Sequence, residues 1–288
     1  MLLRQVGLVS VTPHVSLAML SLVSAALQRQ VVRDFAPIWG VSATVDVFAT
    51  VAEMPIGYWP IIIADAINSA NPGVHEDGNG QPFALVRYDA NWVLTTSHEC
   101  LEMLADPSGY RLTTARSLLP EQGRVNYLVE VCDPCEAAGF GYTVNGFTVS
   151  DFYTPQYFEP QQAPGVRYSF TGSITEPRQV LPGGYLSWVV PSTNEWFQCK
   201  YFHGAPVIAS IGFLKRDNQS LRATIDRLTG NHIMSKHNAT AAHPELAAAL
   251  RNDAYISSDT ELDRAVKQPV STPLLAAIEE ACTVKRTN

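Results

Sequence analysis

No stretch of the 288-residue chain reaches the roughly 18 consecutive apolar residues of a membrane-spanning helix, which predicts a soluble protein with no membrane partner. Basic charge is in deficit. Twenty Lys and Arg against 27 Asp and Glu give a formal net charge of -7, the wrong sign for gripping phosphate backbones, so nucleic acid is not an expected partner. Cysteine is sparse and odd in number, five in all, which excludes a disulfide framework and points to a reducing, cytoplasmic setting, with a secreted or particle-associated one as the alternative. Val15 to Leu27 has the apolar character of an export signal. It begins late, has Arg4 as its only preceding charge and lacks a small-residue cleavage site, so it reads as the first helix of the fold. Also missing are a Gly-x-Ser-x-Gly elbow, a Gly-x-x-x-x-Gly-Lys loop and a Gly-x-Gly-x-x-Gly turn, which leaves serine hydrolases, P-loop nucleotidases and Rossmann oxidoreductases without their usual signals.

What is present is a globular composition, 46% hydrophobic and 16% charged. Apolar and β-branched patterning predicts strands over 6–11, 41–51, 61–65, 83–88 and 125–131, a hairpin over 142–149, and three more strands over 185–190, 197–202 and 207–213. Helices are expected over about 13–35, 91–106 and 219–228, with short ones over 244–251 and 273–283. The expected fold class is α+β: a main domain over 1–230, with a metal-site helix at 92–106 and a β-rich part at 125–215, then a helical extension over 231–288.

Chemistry concentrates in Ser97-His98-Glu99-Cys100-Leu101-Glu102-Met103-Leu104-Ala105-Asp106-Pro107. Residues four apart on a helix share a face about 6 Å apart along the axis, so His98, Glu102 and Asp106 form one polar stripe. The spacing matches the His-Glu-x-x-His helix of zinc peptidases, with Glu102 at the second ligand position and Glu99 placed to activate water as general base. The bland reading is a helix with surface acids and a satisfied histidine; the apolar Cys100, Leu101, Met103 and Leu104 argue instead for burial, where acids need a metal or other partners. Cys100, two positions from His98, points about 160° away round the axis. Zinc needs three protein ligands, and Glu130 and Asp133, at the end of the strand over 125–131, are the candidates for the third. Asp133-Pro134 reads equally well as a turn starter. Asp106, Glu136 and Asp151 are alternative or supporting acids, the last able to brace the site or bind calcium. His203 and Tyr153 are candidate oxyanion donors. His75 falls beside Asp77-Gly78-Asn79-Gly80 and is expected in an exposed turn. The pair Cys132 and Cys135 has no second pair to make a zinc site and reads as two half-buried thiols.

Ser97-His98-Glu99-x-Leu101-Glu102-Met103-Leu104-x-Asp106-Pro107, Glu130-Val131-Cys132-Asp133-Pro134 and Val149-Ser150-Asp151-Phe152 together resemble a group of bacterial and phage-associated proteins with a zincin-like signature. Arg33 to Gly40 is similar to an upstream block of that group, so the likeness runs over roughly residues 5–190. The resemblance implies a zincin-like fold, a metallopeptidase activity on a peptide or protein substrate, and a zinc cofactor. Glu102 in place of the usual His makes a harder ion, manganese or calcium, the alternative. A noncatalytic structural or interaction protein, its acids closed round calcium or simply holding the fold, is the competing function.

Overall fold

The computed structural model describes residues 2–69, 71–78, 80–214, 220–229 and 278. It is α+β, as expected, and among the described residues the strands form two five-stranded sheets and one hairpin. The first sheet begins with β1 (Leu2–Ser10). This strand starts earlier than its apolar half because its backbone pairs in parallel with β2 (Val41–Val47) from Leu2 onward. Between them α1 (Leu17–Arg29) is capped by Ser16, whose hydroxyl accepts the Met19 N–H at 3.2 Å. A π-helical stretch, Gln30–Phe35, and α2 (Ala36–Trp39) complete the crossover. The single helix expected over 13–35 is thus divided, and the π stretch turns Gln30 and Asp34 inward.

The strands β3 (Trp59–Ala64), β4 (Gly73–Gly78) and β5 (Gln81–Arg87) finish this sheet, in the order β2-β1-β3-β5-β4. Only β4 runs antiparallel to its neighbour. Pro60 lies inside β3 because pairing with β5 starts at Ile61, so the missing N–H falls where β3 has a partner on one side only. The Ile61-Ile62-Ile63 run is apolar without alternation because both faces are covered. Ile61 and Ile63 face the main core with Val6, Leu8, Leu20, Leu27, Leu101 and Leu104, whereas Ile62 joins Val9, Met54, Leu85 and Ile278 on the other side. Apart from Ile278, the expected C-terminal helices lie outside the described residues.

Next, α3 (Trp92–Ala105) lies against β5 and β4 and is buried along its length. It ends before Pro107, where the Asp106 carboxylate accepts the Arg111 N–H at 2.7 Å and Arg111 Nη1 donates to the Ala105 carbonyl at 2.6 Å. The second sheet consists of β6 (Leu112–Arg116), a short polar edge strand absent from the sequence reading, and β7 (Arg124–Leu128). The hairpin β8 (Tyr142–Val144) and β9 (Phe147–Val149) follows. Three further strands, β10 (Tyr185–Val190), β11 (Glu195–Lys200) and β12 (Val207–Gly212), complete the antiparallel order β12-β11-β10-β7-β6. Last among the described helices is α4 (Leu221–Thr229). A buried hydrogen-bond relay joins the layers: Ser97 Oγ donates to Gln30 Oε1 at 2.7 Å and accepts the Ser150 N–H at 2.9 Å, and Gln30 Nε2 donates to the Ser150 carbonyl at 3.0 Å.

Candidate metal centre

Three segments converge on the middle of α3. The helix supplies His98, Glu99 and Glu102; the turn after β7 supplies Glu130, Asp133 and Glu136; and β4 supplies His75. All seven side chains are buried. His98 and Glu102 meet as the i, i+4 spacing requires, with His98 Nε2 3.1 Å from Glu102 Oε2. The same nitrogen is 3.2 Å from Asp133 Oδ1. Backbone contacts hold these acids in place. The Cys132 N–H donates to Glu102 Oε1 at 3.1 Å, which leaves Oε2 turned to the histidine. Gly184 carries no Cβ where one would stand 2.6 Å from the carbonyl oxygens of Asp133 and Pro134, so β10 starts close against the turn that aims Asp133.

His75 joins the cluster although the sequence reading placed it elsewhere. It is not in an exposed turn: it lies within β4, fully buried. The hairpin register places it opposite Ala84, whose side chain faces the main core, so His75 points at α3. Its Nε2 lies 3.1 Å from the Asp106 carbonyl oxygen, which accepts only from N–H, and this contact turns Nδ1 toward Glu99 Oε2 at 3.6 Å and Glu102 Oε2 at 3.8 Å. The sequence pair Asn79-Gly80 was the available signal: counted back from an expected two-residue turn, residue 75 falls opposite residue 84 inside a strand. Gly73, two residues earlier on the same face, lets β4 approach α3; a Cβ there would stand 2.5 Å from Thr95 Cγ2 and 2.8 Å from Glu99 Cγ.

The other candidates separate. Asp106 leaves the stripe because it caps the helix with non-helical dihedrals, and its carboxylate binds the following turn rather than the cluster. Asp151 is buried but already occupied, accepting from the Phe152 and Thr171 N–H groups and the Thr171 hydroxyl at 2.6–3.0 Å; it braces a loop and takes no place among the ligand atoms. Glu136 stands within 4.8 Å of His98 and Asp133. His203 is exposed in the loop after β11 and belongs to none of the buried groupings. Tyr153 is buried, and burial, Tyr157, Glu130 and Glu102 all push its hydroxyl pKa up, so it stays protonated. Cys132 and Cys135 are fully buried free thiols, with Cys132 grouped beside His98 and Glu102.

The groups of the cluster act strongly on one another, its acids sharing His98 and Arg222 as cations. Burial pulls the His98 pKa down, but Glu102 and Asp133 outweigh it and hold the ring well above the ordinary histidine value. Glu102 lies well below the usual carboxylate range: burial opposes this, and His98 and Arg222 overcome it. Glu130 and Asp133 go the other way, raised first by burial and then by their acidic neighbours against Arg222, Asp133 to about 6. His98 Nε2, Asp133 Oδ1, His75 Nδ1 and Glu99 Oε2 have no hydrogen bond with satisfactory geometry. Ligand atoms arranged tetrahedrally round zinc stand roughly 3.3 Å apart, close to the spacing of His98 Nε2 from its two carboxylates. The residues present therefore fit a metal ion, and the buried groupings could hold one. No family model, curated protein or solved structure matches the chain.

Proposed function

We propose that the protein is a metal-dependent hydrolase of zincin type, a peptidase acting on a peptide or protein substrate. His98, Glu102 and Asp133 would hold the ion, with Glu130 beside them. Zinc suits the imidazole and the close spacing, and manganese or calcium is the alternative suggested by the carboxylates. The observation that carries this reading is His98 Nε2, buried between Glu102 and Asp133 with neither contact a satisfied hydrogen bond.

The ion would supply Lewis-acid polarisation of a carbonyl and charge stabilisation. Glu99 reaches the same centre from the next position on the helix, its carboxylate grouped within 4.8 Å of ligand atoms of Glu102 and His75, so it is the residue to take a proton from water. His75, anchored on the Asp106 carbonyl, stands with Nδ1 3.6 Å from Glu99 Oε2. Tyr153, protonated and buried, is the hydroxyl donor among the sequence candidates.

Elemental analysis tests this directly. The parent should hold about one equivalent of zinc or manganese and His98→Ala should hold little, while Glu99→Gln should keep the metal and lose hydrolysis of a labelled protein substrate by about 100-fold or more. Equal hydrolysis by Glu99→Gln would rule out the assigned base.

A second reading is favoured by one observation: Glu99 is only 1% exposed and Glu102 fully enclosed, as acids closed round a structural ion would be. Calcium alone in the parent, with no hydrolysis, would select it.

A further inference from the structure

One side chain from α4 closes over the acids of the cluster. Arg222, on α4, is 2% exposed, and its Nη1 stands 3.0 Å from Glu102 Oε2, 3.1 Å from Asp133 Oδ2 and 2.7 Å from Glu130 Oε2. The hydrogen bonds of this nitrogen go to Glu102 and Asp133, the two carboxylates of the proposed ligand set. Nε is held by Asp226 Oδ2 at 2.7 Å, one helical turn on, so α4 itself aims the guanidinium.

Glu102 Oε2 is the point of conflict. It faces His98 Nε2 at 3.1 Å and Arg222 Nη1 at 3.0 Å, so a divalent ion and the guanidinium draw on the same oxygen and repel each other. Other contacts also hold α4: the Arg222 N–H donates to the Gly109 carbonyl at 3.3 Å and Lys200 Nζ donates to the Thr229 carbonyl at 2.8 Å. The buried side chains of α4 are Arg222, Ala223, Thr224, Ile225 and Asp226, of which only Ala223 and Ile225 are apolar, and Ile225 packs with Leu128, Val189 and Trp196. Beneath the helix is a small cavity lined by Leu128, Glu130, Asp133, Tyr185, Arg222 and Ile225, adjoining the carboxylates from the β10 side.

We propose that α4 is an autoinhibitory cap: Arg222 serves as an internal cation that neutralises Glu102 and Asp133 and closes the centre, and metal loading weakens its hold and exposes the cavity beside β10. This rests on the metal-centre reading above. The cavity so exposed adjoins Glu130 and Asp133.

The test uses the full chain and zinc alone. Hydrogen–deuterium exchange of the α4 amides in the parent should rise at least tenfold on zinc loading, and metal-free Arg222→Met should take up zinc at least tenfold faster than the parent, with Arg222→Lys closer to the parent. Unchanged α4 exchange in the zinc-loaded parent overturns the cap, and so does zinc uptake by Arg222→Met at the parent rate. The exchange experiment needs no variant, so misfolding of Arg222→Met leaves the proposal open to refutation. If His98→Ala binds as much zinc as the parent, the metal centre itself is wrong; if zinc depends on His98 and α4 does not respond, the cap alone falls.

Discussion

Gly73 shows how narrowly the centre is built at the scale of one residue. Its missing Cβ is the space in which Thr95 and Glu99 lie, and the hairpin register keeps it on the same face as His75. Gly73→Ala is expected to cost about 1–3 kcal/mol by overpacking and to move the Glu99 carboxylate, which denaturant titration and hydrolysis by the zinc-loaded protein would read separately. The helix spacing makes His98, Glu99 and Glu102 legible in sequence, and the acids Glu130 and Asp133 stand out near a strand end. His75 was hidden because its short strand carries Glu76 and Asp77, residues more common in turns, and only the register reveals which way it points. Arg222 could not be read at all. It lies 89 residues from Asp133 and 120 from Glu102 in the chain, and nothing local distinguishes an arginine that will be buried from one left in water.

At the scale of elements, local signals placed helices and hairpins well and failed where tertiary pairing decides. The helix expected over 91–106 forms as Trp92–Ala105, ended by Pro107 as the sequence implies. The pair Asn145-Gly146 makes the expected turn, with positive φ at both residues. The first helix begins at Leu17 rather than near Pro13, because Ser16 supplies the cap. Ser16→Ala should therefore lower stability by about 0.5–2 kcal/mol without affecting the metal centre, as thermal unfolding and metal content measured together would show. The π stretch left no recognisable trace in sequence; the apolar pattern of 13–35 continues through it, and the change of pitch is felt only where Gln30 meets Ser97 and Ser150. The polar strand β6 is likewise made by its pairing with β7 rather than by its composition.

Across the whole molecule, the α+β class follows from the early alternation of strand and helix and the later run of strands, whereas the division into two sheets depends on long-range pairings that no local pattern specifies. The net charge of -7 excludes some partners but says nothing about the centre, where acids are sequestered among His75, His98 and Arg222. Those acids bear on global stability. An ion that binds the folded chain and not the unfolded one stabilises it by about 2.7 kcal/mol at 100 times its dissociation constant, so zinc should raise the melting temperature of the parent and leave that of His98→Ala nearly unchanged in a calorimetric scan. The opposite core offers a control remote from the proposed metal centre. Ile62→Ala, beneath the far face of the first sheet, should cost about 2–5 kcal/mol in both metal-free and metal-loaded protein by denaturant titration.

The order of these groups along the chain also sets an order in time. During synthesis Asp133 leaves the ribosome 89 residues ahead of Arg222, an interval of about 4–18 s at typical elongation rates. Through that interval the nascent carboxylates do not have Arg222 to meet, so whether a dissolved ion reaches them before it does is decided by translation and by the ions in the surrounding water.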